Sequence, residues 1–202
     1  MGLEDSLESY DIVGKLVRLK ELSTNDVAVL IMSHQSMNDQ SHVRIGLVFG
    51  HWEGDTVRGK IGRSGLVSLV DRKSRYLLSE RVPKVNAKNV TQAMIDLLHT
   101  VTPKRVRTLT PDRGTEFAGY REVGKELGIS VYFPDPHAPQ QRGTNENTNG
   151  LIREYFPKGT DLDELTDQDI AKFVRDLNNR PRKVLVWKTP SEVFFGKKLH
   201  LI

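Results

Sequence analysis

From Gly50 onward the apolar and polar positions fall into runs whose period changes along the chain. His51–Val57, Gly65–Val70 and Arg75–Val82 are rich in valine, leucine and aromatic residues and are separated by turn-like stretches, which predicts three consecutive strands. The period then lengthens. Val90, Met94, Leu97, Leu98 and Val101 fall at i, i+4, i+7, i+8 and i+11, a single apolar stripe of a helix that Pro103 ends. Val106–Thr110 is a short β-like run that stops at Pro111-Asp112-Arg113-Gly114. Phe117, Tyr120, Gly124 and Leu127 mark a second helix with Gly128 as its stop, and Ile129, Val131 and Phe133 alternate as a strand.

Two further helices follow. Leu151/Tyr155 and Ile152/Phe156 pair at i, i+4 before Pro157-Lys158-Gly159 closes the segment. Thr166-Asp167-Gln168-Asp169 reads as a capping box for a helix through Ile170, Phe173, Val174 and Leu177, and Thr189-Pro190-Ser191-Glu192 reads as another. Three meandering strands followed by alternating helices and strands predict an α/β fold, a mixed sheet with helices on both faces. Residues 1–45 read differently: Leu7, Val13, Leu16, Leu19 and Leu22 are loosely helical, and Ser33–Ser41 is a polar linker. The expected organisation is therefore an N-terminal helical or poorly ordered segment, 1–45, and a core, 46–202, that ends in basic helices.

Composition narrows the class. With 37% hydrophobic and 28% charged residues over 202 positions, the chain suits a folded protein with a real core. It contains no run of about 18 apolar residues, so no membrane span is expected. No secretory signal pattern opens it, and with no cysteine at all, disulfides and cysteine-ligated zinc are excluded. An intracellular, cytoplasmic location is the natural expectation. The histidines are scattered, there is no H-E-x-x-H, and no P-loop motif occurs. Charge is divided unevenly. Residues 1–45 hold four Lys/Arg against seven Asp/Glu, whereas residues 46–202 hold 26 against 19; Arg180–Lys198 holds six basic residues and one acid, Glu192. A basic surface around a few isolated acids suits a polyanionic partner.

Those acids are where the chemistry lies. Asp55 interrupts an apolar strand, which is costly unless something positive compensates it. Asp112 sits just past the end of a different strand, and Glu146 at the start of a helix, in Gly143-Thr144-Asn145-Glu146-Asn147-Thr148-Asn149-Gly150. Ligands of open α/β sheets collect at strand ends and the helix starts beside them. Three carboxylates brought together repel one another, and a divalent cation bound through oxygen removes the objection. Singly each has a plainer reading: a turn for Asp112, a macrodipole-favoured first-turn acid for Glu146, an edge position for Asp55. Glu53 and Asp135 are rival carboxylates; Glu53 is expected to help position Asp55, and Asp135 to lie in a loop beside the site.

His51-Trp52-Glu53-Gly54-Asp55-Thr56, Val70-Asp71-Arg72-Lys73-Ser74-Arg75-Tyr76, Gly143 to Arg153, Tyr155 to Asp161 and Leu177 to Lys183 together resemble transposases of bacterial insertion sequences, specifically the family typified by insertion sequence thirty. The resemblance covers roughly Phe49 to Lys198. It implies a ribonuclease-H-like, five-stranded integrase-type core and an Asp-Asp-Glu triad of Asp55, Asp112 and Glu146. The family's interval of 33 residues between the second and third acids is met here by positions 113 to 145. It further implies two Mg²⁺ ions (Mn²⁺ able to substitute), with Asp55 bridging them and Asp112 and Glu146 each holding one. DNA is the implied partner, both transposon ends and target, bound by a homo-oligomer associated with the bacterial nucleoid.

Glu146, Asn149 and Arg153 share one helix face, so Arg153 and Asn149 are candidate phosphate contacts beside the acids. Arg142, Lys158, Arg180, Arg182, Lys183 and Lys188 are candidates to track the backbone without reading bases. Trp187 could stack on an exposed base, but core packing is the stronger expectation. Family members carry helix-turn-helix segments ahead of the core, a pattern residues 1–45 lack. Two readings therefore stand: a metal-dependent transposase core that cleaves and joins DNA, and a truncated, non-catalytic remnant that binds DNA or intact subunits and interferes with transposition. A ribonuclease-H-type hydrolase shares the fold but not the motifs.

Overall fold

The computed structural model describes residues 48–60, 64–134 and 143–197. The expected N-terminal segment, with Asp135 and Arg142, lies outside them. Five strands form one sheet: β1 (His51–Arg58), β2 (Gly65–Asp71), β3 (Leu77–Val82), β4 (Thr108–Pro111) and β5 (Ser130–Val131), in the order β3-β2-β1-β4-β5. β1, β2 and β3 are antiparallel neighbours, and β4 and β5 add on parallel to β1. The mixed five-stranded sheet expected from the sequence is present. Five α-helices accompany it: α1 (Ala87–His99), α2 (Tyr120–Leu127), α3 (Gly143–Tyr155), α4 (Asp167–Asn179) and α5 (Pro190–Phe195).

Alternation along β2 divides the interior. Val67 and Leu69 join Trp52 and Leu109 beneath α1 and α2, where Val90, Met94, Leu98 and Val123 are buried. Leu66 and Val70 face the other way, with Val57 and Leu77, against Ile152 and Phe156 of α3 and Ile170, Phe173 and Leu177 of α4. The positions read for α1 (Val90, Met94, Leu97, Leu98) and for α4 (Ile170, Phe173, Leu177) are buried. Of those read for α3 only Ile152 and Phe156 are, Tyr155 being 40% exposed, and α2 buries Val123 rather than the residues read for it. Both expected capping boxes form, at Thr166/Asp169 and Thr189/Glu192, and Gly128 closes α2 in the left-handed conformation that a glycine adopts without a Cβ clash.

Boundaries differ where local polar chemistry competes with pattern. The strand expected from Arg75 begins only at Leu77. The fully buried Asp71 carboxylate accepts hydrogen bonds from the Gly50, Lys73 and Ser74 amides and from Ser74 Oγ, folding the chain into a tight turn in which Arg75 has φ of 62°. Gly50, at φ of 94°, fits this corner because a Cβ there would stand 2.9 Å from the Arg105 carbonyl carbon. α1 stops at His99 rather than running to Pro103, which instead opens a 3₁₀ turn, Pro103–Arg105. The strand expected over Ile129–Phe133 shrinks to Ser130–Val131.

β3 is an edge strand, and α4 covers part of it. Asn178, buried on α4, accepts from the Leu77 amide at 2.8 Å and donates to the Leu77 carbonyl at 2.8 Å. Its side-chain amide thus pairs with both backbone groups of one edge residue, as a neighbouring strand would.

Candidate active site

The parallel β1–β4 ladder places the first two acids. Its register runs from His51↔Thr108 to Gly54↔Pro111, and the Asp112 amide donates to the Gly54 carbonyl at 3.1 Å, carrying the ladder one step further. Asp55 and Asp112 are therefore next in register on strands about 5 Å apart. Gly54 leaves room on the sheet face for its neighbours: a Cβ at this position would meet Leu69 Cδ2 at 3.3 Å and Leu109 Cδ1 at 3.5 Å. Asp55 is half-buried; its Oδ1 accepts from the Thr56 amide at 2.7 Å, and Asp112 Oδ1 accepts from the Arg113 amide at 2.6 Å.

The third acid arrives on α3. Asn149 Nδ2 donates to Asp55 Oδ2 at 2.8 Å, and one turn later Arg153 donates to the Arg58 carbonyl at 2.9 Å, so this face of α3 lies along β1. Glu146 is exposed one turn before Asn149 on the same face. Arg153 also reaches the Phe156 carbonyl at 3.4 Å, which makes it a brace between α3 and β1 as well as a cation near the acids. The start of α3 has its own anchor: Arg75, from the turn after β2, donates to Thr144 Oγ1, and Thr148 Oγ1 donates to the Thr144 carbonyl at 2.8 Å. Burial lowers the Arg75 pKa from its ordinary value, while Glu53 and Asp71 act in the opposite sense.

Sequence reasoning passed over Glu116. It stands in the 3₁₀ turn Thr115–Phe117 after Asp112, and its Oε1 accepts from Thr56 Oγ1 at 3.0 Å and from the Arg58 guanidinium at 3.2 Å. Partial burial opposes its ionisation, but its own backbone hydrogen bond, Thr56 and Arg58 together hold its pKa below the ordinary carboxylate value. The Asp112 loop is thereby tied to the residues that follow Asp55 in β1, and Arg113 Nε ties it on the other side to the Pro134 carbonyl at 2.8 Å. The signal available in the sequence was a second acid four residues after Asp112.

Glu53 has a different place from the one expected. It is 2% exposed, and Arg72 donates to it at 2.6 Å in a nearly buried ion pair, so it serves the β1–β2 corner. Among the remaining candidates Lys158, Lys183 and Lys188 are exposed, as is Arg180, which pairs with Glu154 at 2.7 Å. Arg182 turns inward and donates to the Leu177 carbonyl at 3.0 Å; burial, then the neighbouring Arg180, depresses its pKa. Trp187 does not pack in the core: it is 69% exposed, because the chain turns back on itself there instead of continuing into a helix.

Among the described residues no three His, Cys, Asp or Glu side chains stand close enough to hold a metal ion together. Register sets Asp55 beside Asp112, whereas Glu146 shares only its helix with Asn149, the residue bonded to Asp55, and does not close a three-acid cluster. The donor set nevertheless fits a hard cation, being all oxygen. Asn149 Oδ1, buried beside Asp55, has no hydrogen-bond partner among the described residues, as expected of a group turned toward a cation or its water. No helix among the described residues is long and apolar enough to cross a membrane.

Residues 47–139 match the family described as Integrase core domain. Over 144 residues, 71% of this chain, the sequence is 48% identical to the transposase InsI for insertion sequence element IS30A of Escherichia coli (strain K12), covering 37% of that protein. It is 42% identical over 147 residues to the transposase for insertion sequence element IS1086 of Cupriavidus metallidurans, covering 43% of it. The chain spans less than half the length of these curated relatives. In fold it is similar to the catalytic core domain of BIV integrase, with a TM-score of 0.56 at 21% identity over 74% of this chain and 95% of that one. A simian T-cell lymphotropic virus intasome chain gives 0.60 at 17% identity, over 93% of this chain and 72% of that one. The fold is ribonuclease-H-like, that of retroviral integrase cores, and by sequence the chain shares the Integrase core domain and is similar to insertion-sequence transposases of the IS30 type.

Proposed function

We propose that this chain performs metal-dependent DNA cleavage and strand transfer, with Asp55, Asp112 and Glu146 as its catalytic acids. The observation that carries the reading is the ladder that sets Asp55 beside Asp112, with Asn149 of the Glu146 helix hydrogen-bonded to Asp55. The three acids would hold divalent cations, Mg²⁺ or in its place Mn²⁺, two ions in all. Bound there, the ions would neutralise charge on the entering and leaving oxygens of a phosphodiester and lower the pKa of the attacking hydroxyl. The protein's own part is positional. Asn149 orients the Asp55 carboxylate, Glu116 and Arg113 hold the Asp112 loop, and Arg75 fixes the start of the helix that carries Glu146.

DNA is the proposed partner, transposon ends and target alike, gripped through phosphates by exposed Lys158, Arg180, Lys183 and Lys188, with Arg153 beside the acids and Arg142 as a further proposed contact. Assembly as a homo-oligomer on DNA and association with the nucleoid belong to the same proposal. The test is a nicking and strand-transfer assay on pre-cleaved transposon ends with Mg²⁺ or Mn²⁺. Wild type is expected to cut and join, and Asp112→Asn and Glu146→Gln each to abolish both reactions while keeping the fold. Full activity in either variant refutes the triad. DNA binding without cleavage in wild type would instead favour a non-catalytic remnant that interferes with intact transposase.

A further inference from the structure

Between α4 and α5 the chain makes a compact loop whose backbone closes on itself. The Arg182 amide donates to the Lys188 carbonyl at 3.0 Å, and the Trp187 amide to the Arg182 carbonyl at 2.9 Å. Within this closure lies a 3₁₀ turn, Lys183–Leu185, followed by two consecutive residues in the left-handed region, Val186 at φ of 55° and Trp187 at φ of 62°. A β-branched residue and a bulky aromatic both oppose that conformation. It holds because the loop is anchored at each end, by Arg182 on the Leu177 carbonyl and by the Thr189/Glu192 capping box.

What the strained loop achieves is outward display. Val184, Val186 and Trp187 are 65%, 81% and 69% exposed, whereas the only other tryptophan, Trp52, is fully buried. Positions 180–188 also contain Arg180, Arg182, Lys183 and Lys188 and no acid. Arg180 is paired with Glu154 and Arg182 turns inward. Apolar surface interleaved with exposed Lys183 and Lys188 is still a poor match to a second copy of this loop, which would bring the same positive charge to the contact. It matches a ligand that offers an aromatic face together with phosphates.

We propose that the 183–188 loop is a stacking platform for an unpaired base of bound DNA, the Trp187 indole lying on the base while Lys183 and Lys188 meet the flanking phosphates. In an intact duplex the base faces are already stacked, so the preferred ligand is DNA with a frayed or single-stranded end. This rests on the DNA-processing reading above and adds the state of the DNA that is recognised.

Intrinsic fluorescence provides the test, because buried Trp52, whose Nε1 donates to the Arg105 carbonyl, is shielded from ligand. The full chain is titrated with a labelled blunt duplex and with the same duplex bearing a single-stranded overhang, following both DNA anisotropy and tryptophan emission. The expected result is quenching by the overhang alone. Trp187→Ala should weaken overhang binding by about five- to a hundredfold and leave duplex binding unchanged, with Trp187→Phe retaining most of the affinity. Binding of the overhang without quenching, equal quenching by both DNAs, or equal loss of both in Trp187→Ala overturns the platform and leaves the DNA reading intact. A change in sedimentation of Trp187→Ala without an effect on DNA assigns the loop to a protein contact instead. Failure of wild type to bind either DNA removes both readings.

Discussion

Glu53 and Asp55 stand two residues apart on one face of β1 and have opposite surroundings. Glu53 is sealed in, with the Arg72 guanidinium at 2.6 Å, while Asp55 is half-buried at the end of the ladder, met by a neutral amide from another helix. The same division separates Asp71, fully buried under amide and hydroxyl donors, from Asp112, which lies just past β4. An acid inside an apolar strand therefore carries no single meaning. A carboxylate sealed in with its counter-charge serves the fold, and one at a strand end beside a second carboxylate is where the proposed cations would be held.

The largest expected effect tests the second half of that contrast. Asp55→Asn keeps the shape and the acceptor for Thr56, and should cut strand transfer by roughly four orders of magnitude, the scale on which one member of a catalytic set acts. Its denaturation midpoint should hardly move. Glu53→Gln should do the reverse. It leaves Arg72 buried without its counter-charge and should cost about 3 kcal/mol in a urea titration, while the double replacement Glu53→Leu/Arg72→Met recovers most of that loss. A catalytic defect in Glu53→Gln at unchanged stability would erase the distinction between the two acids.

Arg75→Ala probes the link between the two regions, since Arg75 leaves the structural corner to hold Thr144 on α3, the helix that carries Glu146. Activity should fall about ten- to a hundredfold, as for other groups that orient a metal-binding set, with a larger effect on turnover than on DNA affinity. Equal loss of DNA binding and turnover would assign it a role in the interface instead.

The smallest effect concerns the opposite end of β1. Burial, then Arg107 and Arg72, lowers the His51 pKa from the ordinary imidazole value, and its Nδ1 meets Thr108 Oγ1 at 2.8 Å. A depressed histidine takes up its proton more readily in the unfolded chain. Its contribution is therefore complete above about pH 6.5 and declines as pH falls through the folded-state value. Denaturation midpoints measured from neutral to acidic pH should fall less steeply in His51→Gln than in wild type.

Periodicity made the sheet and helix faces legible, because burying one stripe or one alternating set leaves little choice of orientation. Position relative to strand ends made Asp112 legible, and the shared helical face made Glu146, Asn149 and Arg153 legible as a group. What escaped were contacts that join distant segments through polar atoms. Nothing local distinguishes Glu53 from Asp55, since the Arg72 that donates to Glu53 at 2.6 Å is 19 residues away. Glu116 offered only its place four residues after Asp112; its role appears when β1 brings Thr56 and Arg58 beside it. Arg75 lies in a run that reads as strand until the Asp71 carboxylate bends it, and Trp187 reads as core until two left-handed residues turn it outward.

Asn178 bears on how several copies could gather on one piece of DNA. By occupying the outward amide and carbonyl of Leu77 it closes the start of the β3 margin, so a second molecule could extend the sheet at that residue only by displacing it. An assembly built through helices and loops would leave that pairing intact and could part without tearing a shared backbone network.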